Sequence, residues 1–284
     1  MMSMAAAPVR RVLVATDLSE QAGLAVRRAA QLAAERDARL SAVNVQPAGL
    51  NEELSEFAHA RLRSHLDRFI TSTVTEAVVR HGHVADEILA EVTDRDADLL
   101  VVGAHGGHRP TSPVLGSTPG NLVRASPVPV LVVKSSPDGE YRTVVLAVDS
   151  TAVSATAAHT ACALTPYANH IVVHVAVVVG ETLMRMHGAS EQHLAELREV
   201  STEQVRVDIV RVAAELTPAA SRVVIASGRP QTRLPELSRH HAADLVAVGT
   251  GGRSSLGYVL LGSVAQHVLR DAASDVLVVP ARKD

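Results

Sequence analysis

Residues 249–263 read GTGGRSSLGYVLLGS: Gly249, two residues, Gly252, nine residues, Gly262 and then Ser263. Residues 103–117, GAHGGHRPTSPVLGS, repeat that spacing at Gly103, Gly106, Gly116 and Ser117. Each array follows an aliphatic run, ADLLVVG or ADLVAVG, of the kind that forms a buried strand. Glycine at the carboxyl end of a strand lets the main chain turn sharply and approach a ligand with no Cβ in between. The N–H groups can then converge on an anion. Gly262-Ser263 precedes VAQHVLRDA, which has a helical pattern. Ser263 is therefore expected as the N-cap of a helix whose first-turn N–H groups and dipole favour phosphate. The nine-residue spacer lets the chain loop out and return, so that the first glycines and the last Gly-Ser form two walls of one site.

Working outward, the whole chain is one unit written twice. Each half begins with an aliphatic strand running into Asp, RRVLVATD to Asp17 and YRTVVLAVD to Asp149. An alanine-rich helix, a second strand (ARLSAVNVQP or NHIVVHVAVVV) and a longer helix follow. A third strand, TVTEAVV or SRVVIA, leads through a short helix into the glycine-bearing fourth strand, and VPVLVV or SDVLVVP closes each unit. Asp17 to Gly103 spans 86 positions and Asp149 to Gly249 spans 100, an excess expected in the long second helix and its flanking loop. The joint is KSSPDGEYR, a short polar stretch with Pro137 and Gly139. Strands alternating with helices imply parallel βαβ units. The expected fold is α/β, two tandem doubly wound domains over residues 1–136 and 137–284, each a five-stranded parallel sheet with helices on both faces.

Composition agrees with that reading. The 284 residues are 47% hydrophobic and only 2% aromatic, so the cores are aliphatic. A net charge of −3 gives no support for nucleic-acid binding. No stretch has the length of a membrane span, and the start lacks the basic-then-apolar order of a signal peptide. The single cysteine, Cys162, forms no internal disulfide and reads as a small packed residue. A cytoplasmic location is expected. A P-loop is excluded, since the lysines are Lys134 and Lys283 alone. The dinucleotide fingerprint follows a first strand, whereas this array follows a fourth.

G-x2-G-x9-G-[ST] after a fourth strand, with Asp closing the first, resembles the universal stress protein family, in particular its tandem ATP-binding branch. The resemblance covers nearly the whole chain, and it implies strand order 3-2-1-4-5. Strands one and four are then neighbours where the winding reverses, and ligands sit in such crevices. By the resemblance, backbone groups of Val45 and Val175 contact adenine, and Asp17 and Asp149, with Ala15 and Ala147 beside them, hold the nucleoside end. Gly103, Gly106, Gly116, Ser117 and Thr118 in one half, and Gly249, Gly252, Gly262, Ser263 and Val264 in the other, hold phosphates. The implied cofactor is ATP, with Mg2+ as companion ion.

The two copies differ. Arg253 follows Gly252 and offers a cation to phosphate, whereas Gly107 stands at the matching place, with Arg109 as a substitute. Pro119 removes a first-turn N–H and Gly120 weakens that helix, so tighter binding is expected in the second copy. Asp17 has a competing reading as a helix cap, as does Ser19. A metal site built from His81, His83, His105 and His108 is disfavoured, because strands three and four would lie about 14 Å apart. The fifth strands are expected to pair the domains, with further homodimerisation. Three functions stay open: an ATP-binding stress-response regulator with no catalytic residue and an unidentified regulatory partner, a slow ATPase or phosphotransferase, and a nucleotide-free adaptor.

Overall fold

The computed structural model describes residues 8–49, 52–70, 75–106, 116–251 and 261–281. In chain order the first half comprises β1 (Arg11–Ala15), α1 (Glu20–Arg36), β2 (Arg39–Gln46), α2 (Glu52–Phe69), β3 (Thr75–His81), α3 (Val84–Asp94), β4 (Leu99–Gly103), α4 (Ser117–Ala125) and β5 (Val130–Val133). The second half comprises β6 (Thr143–Ala147), α5 (Ala152–Leu164), β7 (Asn169–Ala176), α6 (Glu181–Met186), α7 (Glu191–Glu215), β8 (Arg222–Ser227), α8 (Pro230–His240), β9 (Leu245–Gly249), α9 (Ser263–Asp271) and β10 (Asp275–Val279). The extra length of the second half lies in α6, which has no counterpart among the described residues of the first, and in α7, 25 residues against 18 in α2. The first strands stop at Ala15 and Ala147, two residues short of each Asp, because both aspartates belong to turns described below.

The strand order is β3-β2-β1-β4-β5-β10-β9-β6-β7-β8, one sheet of ten. Within each half the order is the 3-2-1-4-5 that the resemblance implied, all parallel. The halves meet where β5 and β10 run antiparallel, with Leu131 opposite Leu277. The carboxyl ends of the strands, where ligands bind in such folds, therefore point to opposite ends of the sheet in the two halves. Central strands such as Leu99–Gly103 and Val130–Val133 are buried on both faces, which is why they read as unbroken aliphatic runs. One face packs α1, α2, α5 and α7, the other α3, α4, α8 and α9. Cys162 is buried against the first of these layers, and burial pushes its thiol up to about 12.

A second repeat-specific device aligns the strands. Asp98 Oδ2 accepts hydrogen bonds from the N–H groups of Arg10 and Arg11 at 2.8 and 2.9 Å. Asp244 Oδ2 accepts from Arg142 and Thr143 at the same two distances. The Asp of each ADL triplet thus anchors the first strand to the fourth, the pair between which the glycine array opens.

At the junction, Asp275 is fully buried. Its carboxylate accepts hydrogen bonds from Tyr141 Oη at 2.6 Å, Lys134 N at 2.8 Å and Ser135 N at 3.2 Å. Arg28, from α1 of the other half, stacks on the Tyr141 ring at 4.0 Å, donates to the Gly139 carbonyl and stands 3.6 Å from Asp275. Burial pulls the Lys134 ammonium down to about 8, with Asp275 opposing it. Buried polar contacts of this kind add geometric definition to a join that is otherwise aliphatic.

Candidate functional site

The turn after the first strand is built identically in both halves. Asp17 Oδ1 accepts hydrogen bonds from Ser19 N at 3.0 Å and Ser19 Oγ at 2.5 Å, and Ser19 Oγ in turn accepts from Ala22 N, capping α1. Asp149 Oδ1 accepts from Thr151 N at 3.1 Å and Thr151 Oγ1 at 2.6 Å, and Thr151 Oγ1 caps α5 by accepting from Ser154 N. The aspartate is therefore not the cap; it orients the hydroxyl that is. Between each pair stands a residue in the left-handed region, Leu18 at φ 64 and Ser150 at φ 65. Neither is glycine, and such a conformation persists only where the surroundings hold it. Burial raises the Asp149 carboxyl, but hydrogen bonds from Thr151 and Ser154 outweigh it and hold the group below the usual carboxylate range.

The glycine array closes on this turn. Gly116 N donates to Ala104 O at 3.0 Å and Gly262 N to Thr250 O at 2.6 Å, so each spacer returns to the strand end it left. A Cβ on Gly106 would stand 2.7 Å from Asp17 Oδ2, which places the second glycine directly against the aspartate. Gly251 has φ +90, a conformation suited to glycine. The helix starts differ from expectation in one respect. Gly116 and Gly262 are the N-caps of α4 and α9, while Ser117 and Ser263 are the first helical residues. Glycine has no side chain to accept from the first turn, and neither helix has a side-chain cap, in contrast to α1, α5 and α7. The first-turn N–H groups are thus left for an anion. In α9 these belong to Ser263, Val264 and Ala265; in α4 Pro119 removes the third.

Two cavities result. The first, about 620 Å³, is bordered by Ala15, Asp17, Val45, Gly103, Gly106, Gly116, Ser117 and Thr118. The second, about 230 Å³, is bordered by Ala147, Asp149, Val175, Gly249, Gly262, Ser263 and Val264. Gly252 and Arg253, together with Gly107, His108 and Arg109, lie outside the described residues. The remaining sequence-derived candidates thus border a cavity in their own half. His81 ends β3, His83 precedes α3 and His105 borders the first cavity. Among the described residues no group of three or more His, Cys, Asp or Glu is set to hold a metal ion.

Several neighbours were not singled out from the sequence. Val84 and Ile88 of α3, and Pro230 and Leu234 of α8, form matching apolar walls. Asn44 Nδ2 donates to Thr16 O at 2.8 Å, and His174 Nδ1 contacts Val148 O at 2.7 Å; each ties the second strand to the carbonyl just before the aspartate. Thr16 Oγ1 accepts from Leu18 N and lies 3.1 Å from Nε2 of His65, a buried α2 histidine whose pKa burial lowers. A polar residue between valines, VNV and VHV at the same place in each repeat, was the available signal.

Against known families, residues 8–134 and 140–280 each match the model of the universal stress protein family. The chain belongs to that family. Universal stress protein E of Escherichia coli is 24% identical over 247 residues, covering 81% of this chain and 75% of that protein. A universal stress protein of Mycobacterium tuberculosis is 30% identical over 196 residues, 64% of this chain and 62% of that one. Among solved structures, a functionally unknown protein from Pseudomonas aeruginosa aligns with TM-score 0.68 at 20% identity over 96% of this chain and 92% of its own. A universal stress protein from Archaeoglobus fulgidus aligns with TM-score 0.67 at 18% identity over 99% of both chains. These likenesses show the universal stress protein fold in tandem. No helix among the described residues is long and apolar enough to cross a membrane.

Proposed function

We propose that this universal stress protein is a cytoplasmic stress-response regulator that binds an adenine nucleotide in each half, divided near residues 136 and 137. The observation that carries the reading is the convergence, in both halves, of three anion- and nucleoside-directed elements on one cavity. These are the aspartate turn, the glycines after the fourth strand and an uncapped helix start. Main-chain amides at Gly103, Gly106, Gly116, Ser117 and Thr118, and at Gly249, Gly252, Gly262, Ser263 and Val264, hold the phosphates. The base lies against Val45 and Ile88, or Val175 and Leu234, and the nucleoside end meets Asp17 or Asp149. Arg253 and the third first-turn N–H of α9 make the second site the tighter one.

The hydroxyls of Ser117 and Ser263 would be the side-chain oxygens offered to a Mg2+ ion accompanying the phosphates, where the ion would supply charge neutralisation. Fast hydrolysis needs a base or water-orienting group beside the γ-phosphate. The conserved-in-repeat carboxylates, Asp17 and Asp149, are instead committed through Oδ1 to their own turns. Binding with at most slow turnover follows, and occupancy rather than chemistry is the signal passed to a regulatory protein partner or a second copy.

The test is to purify the full chain, denature it and identify any nucleotide released. Bound intact ATP supports the regulator. ADP with continuing phosphate release replaces it with the enzyme, and a chain that neither carries nor takes up nucleotide replaces it with the adaptor.

A further inference from the structure

Each aspartate turn has a hydroxyl that braces its backbone, and the two halves find that hydroxyl in different places. Leu18 and Ser150 both stand in the left-handed region, at φ 64 and φ 65, where a residue with a side chain persists only if its neighbours hold it. In the second half Ser154 Oγ, in the first turn of α5, accepts from Asp149 N at 3.1 Å and donates to Thr151 O at 2.9 Å. That relay ends on a carbonyl, which does not titrate. In the first half Ala22 stands at the place of Ser154. The brace comes instead from Thr16, whose Oγ1 accepts from Leu18 N at 3.1 Å. Its match in the second half, Val148, has no hydroxyl.

The Thr16 hydroxyl has a proton of its own to place, and its other contact among the described residues is His65 Nε2, 3.1 Å away. Thr16 and His65 are both buried, at 6% and 5% exposure, so water is a poor substitute. With the hydroxyl donating, Nε2 is the acceptor and the ring is neutral, its proton on Nδ1. A protonated ring carries hydrogen on both nitrogens, so Nε2 would donate and the Thr16 proton would lose its acceptor. Burial lowers the His65 pKa and the Arg68 guanidinium adds to that, while the carboxylates of Glu20 and Asp17 oppose it. Glu20 is itself paired with Arg68, and the Phe69 ring packs against the imidazole with centroids 5.0 Å apart. The ring is therefore neutral at pH 7 and takes its charge only as pH falls below the ordinary histidine value of about 6.5.

We propose that His65 is a positioning residue for the N-terminal site: by accepting the Thr16 hydroxyl proton it holds the turn that carries Asp17, and protonation of its ring releases that turn and weakens nucleotide binding there. The C-terminal half, braced by Ser154, lacks this device. The proposal rests on the nucleotide-binding reading above.

The experiment follows the full chain, labelled with 15N, by nuclear magnetic resonance between pH 7.5 and 5. The Leu18 amide resonance should shift with the same midpoint as the His65 ring, below about 6.5. It should stay in place over that range in His65→Gln, which does not titrate, and in Thr16→Val, where the ring titrates but the relay is cut. In calorimetric titrations with ATP, one class of site should weaken about tenfold between pH 7.5 and 5.5, beyond any change seen in His65→Gln. The ligand's own titration is common to both proteins and cancels. His65→Gln, whose Oε1 still accepts from Thr16, should hold its affinity across that range to within about twofold, and His65→Ala, with no acceptor, should bind weakly at both pH values. A Leu18 amide that ignores the His65 titration, or follows it unchanged in Thr16→Val, overturns the proposal. So does a pH dependence of binding equal in the unsubstituted chain and in His65→Gln. Failure of ATP to bind the unsubstituted chain at pH 7.5 overturns the nucleotide reading instead, and the Leu18 resonance, which needs no ligand, keeps the two failures distinguishable.

Discussion

Replacing Asp275 with alanine removes the centre of the junction between the halves. The carboxylate accepts from Tyr141 Oη, Lys134 N, Ser135 N and Ser135 Oγ, and it faces Arg28 at 3.6 Å. The Arg28 and Asp275 side chains are 5% and 1% exposed, so solvent screens this pair little. Truncating one member of a buried pair leaves the other charge without compensation, at a cost of about 3–5 kcal/mol. Two main-chain donors also lose their acceptor, in a region where unpaired donors are expensive. Tyr141→Phe is the control. It keeps the carboxylate, the ion pair and the ring under Arg28 and removes one hydrogen bond, for a loss of about 1 kcal/mol. Equilibrium unfolding in urea, followed by circular dichroism, reads both variants. A loss below about 1.5 kcal/mol for Asp275→Ala, or one equal to that of Tyr141→Phe, would refute the assignment of the junction to this cluster.

Matched glycines should respond unequally to alanine. A Cβ on Gly249 would stand 2.8 Å from Val153 Cγ1 and 3.2 Å from Val153 main-chain atoms, whereas the nearest atom to one on Gly103 is 3.4 Å away. Gly249→Ala is expected to cost about 1–3 kcal/mol and Gly103→Ala under about 0.5 kcal/mol, measured by thermal unfolding; equal losses contradict the packing. In nucleotide titrations, Gly252→Ala should weaken total binding more than Gly106→Ala, and equal losses would remove the claimed inequality of the sites. Burial lowers the pKa of both His65 and His170 in the folded chain. The unfolded chain then binds more protons as pH falls below about 6.5, so stability declines there, by at most about 1.4 kcal/mol per pH unit for each histidine. Unfolding midpoints between pH 7.5 and 5 check this, and a His65→Gln variant should flatten part of the slope. Thr151→Ala removes the cap of α5 and the partner that orients Asp149, so a loss of about 1 kcal/mol in stability should accompany weaker nucleotide binding.

The duplicated strand pattern and the two glycine arrays were legible because each depends on local chemistry. Double-sided burial demands aliphatic runs, and a close main-chain approach demands glycine. Local sequence was less informative where two elements compete for one role. Ser263 reads as a cap, yet the cap is Gly262, whose missing side chain leaves the first turn of α9 without a side-chain acceptor. Asp17 reads as a possible helix cap, yet the cap is Ser19, which Asp17 orients. The roles of Asn44 and His174 were hidden because each acts across the sheet on a carbonyl 28 or 26 residues away.

What the amino-acid order determined alone is therefore the repeat, the strand-helix alternation and the glycines that follow each fourth strand, since periodicity and missing side chains act over a few residues. Tertiary structure decided the rest. Antiparallel pairing of β5 with β10 merges two sheets into one and turns the two cavities to opposite ends. Non-local bracing then ties the second strand to the carbonyl before each aspartate, through Asn44 in one half and His174 in the other. Those outcomes depend on which distant groups meet, and a linear chain carries that information only through packing.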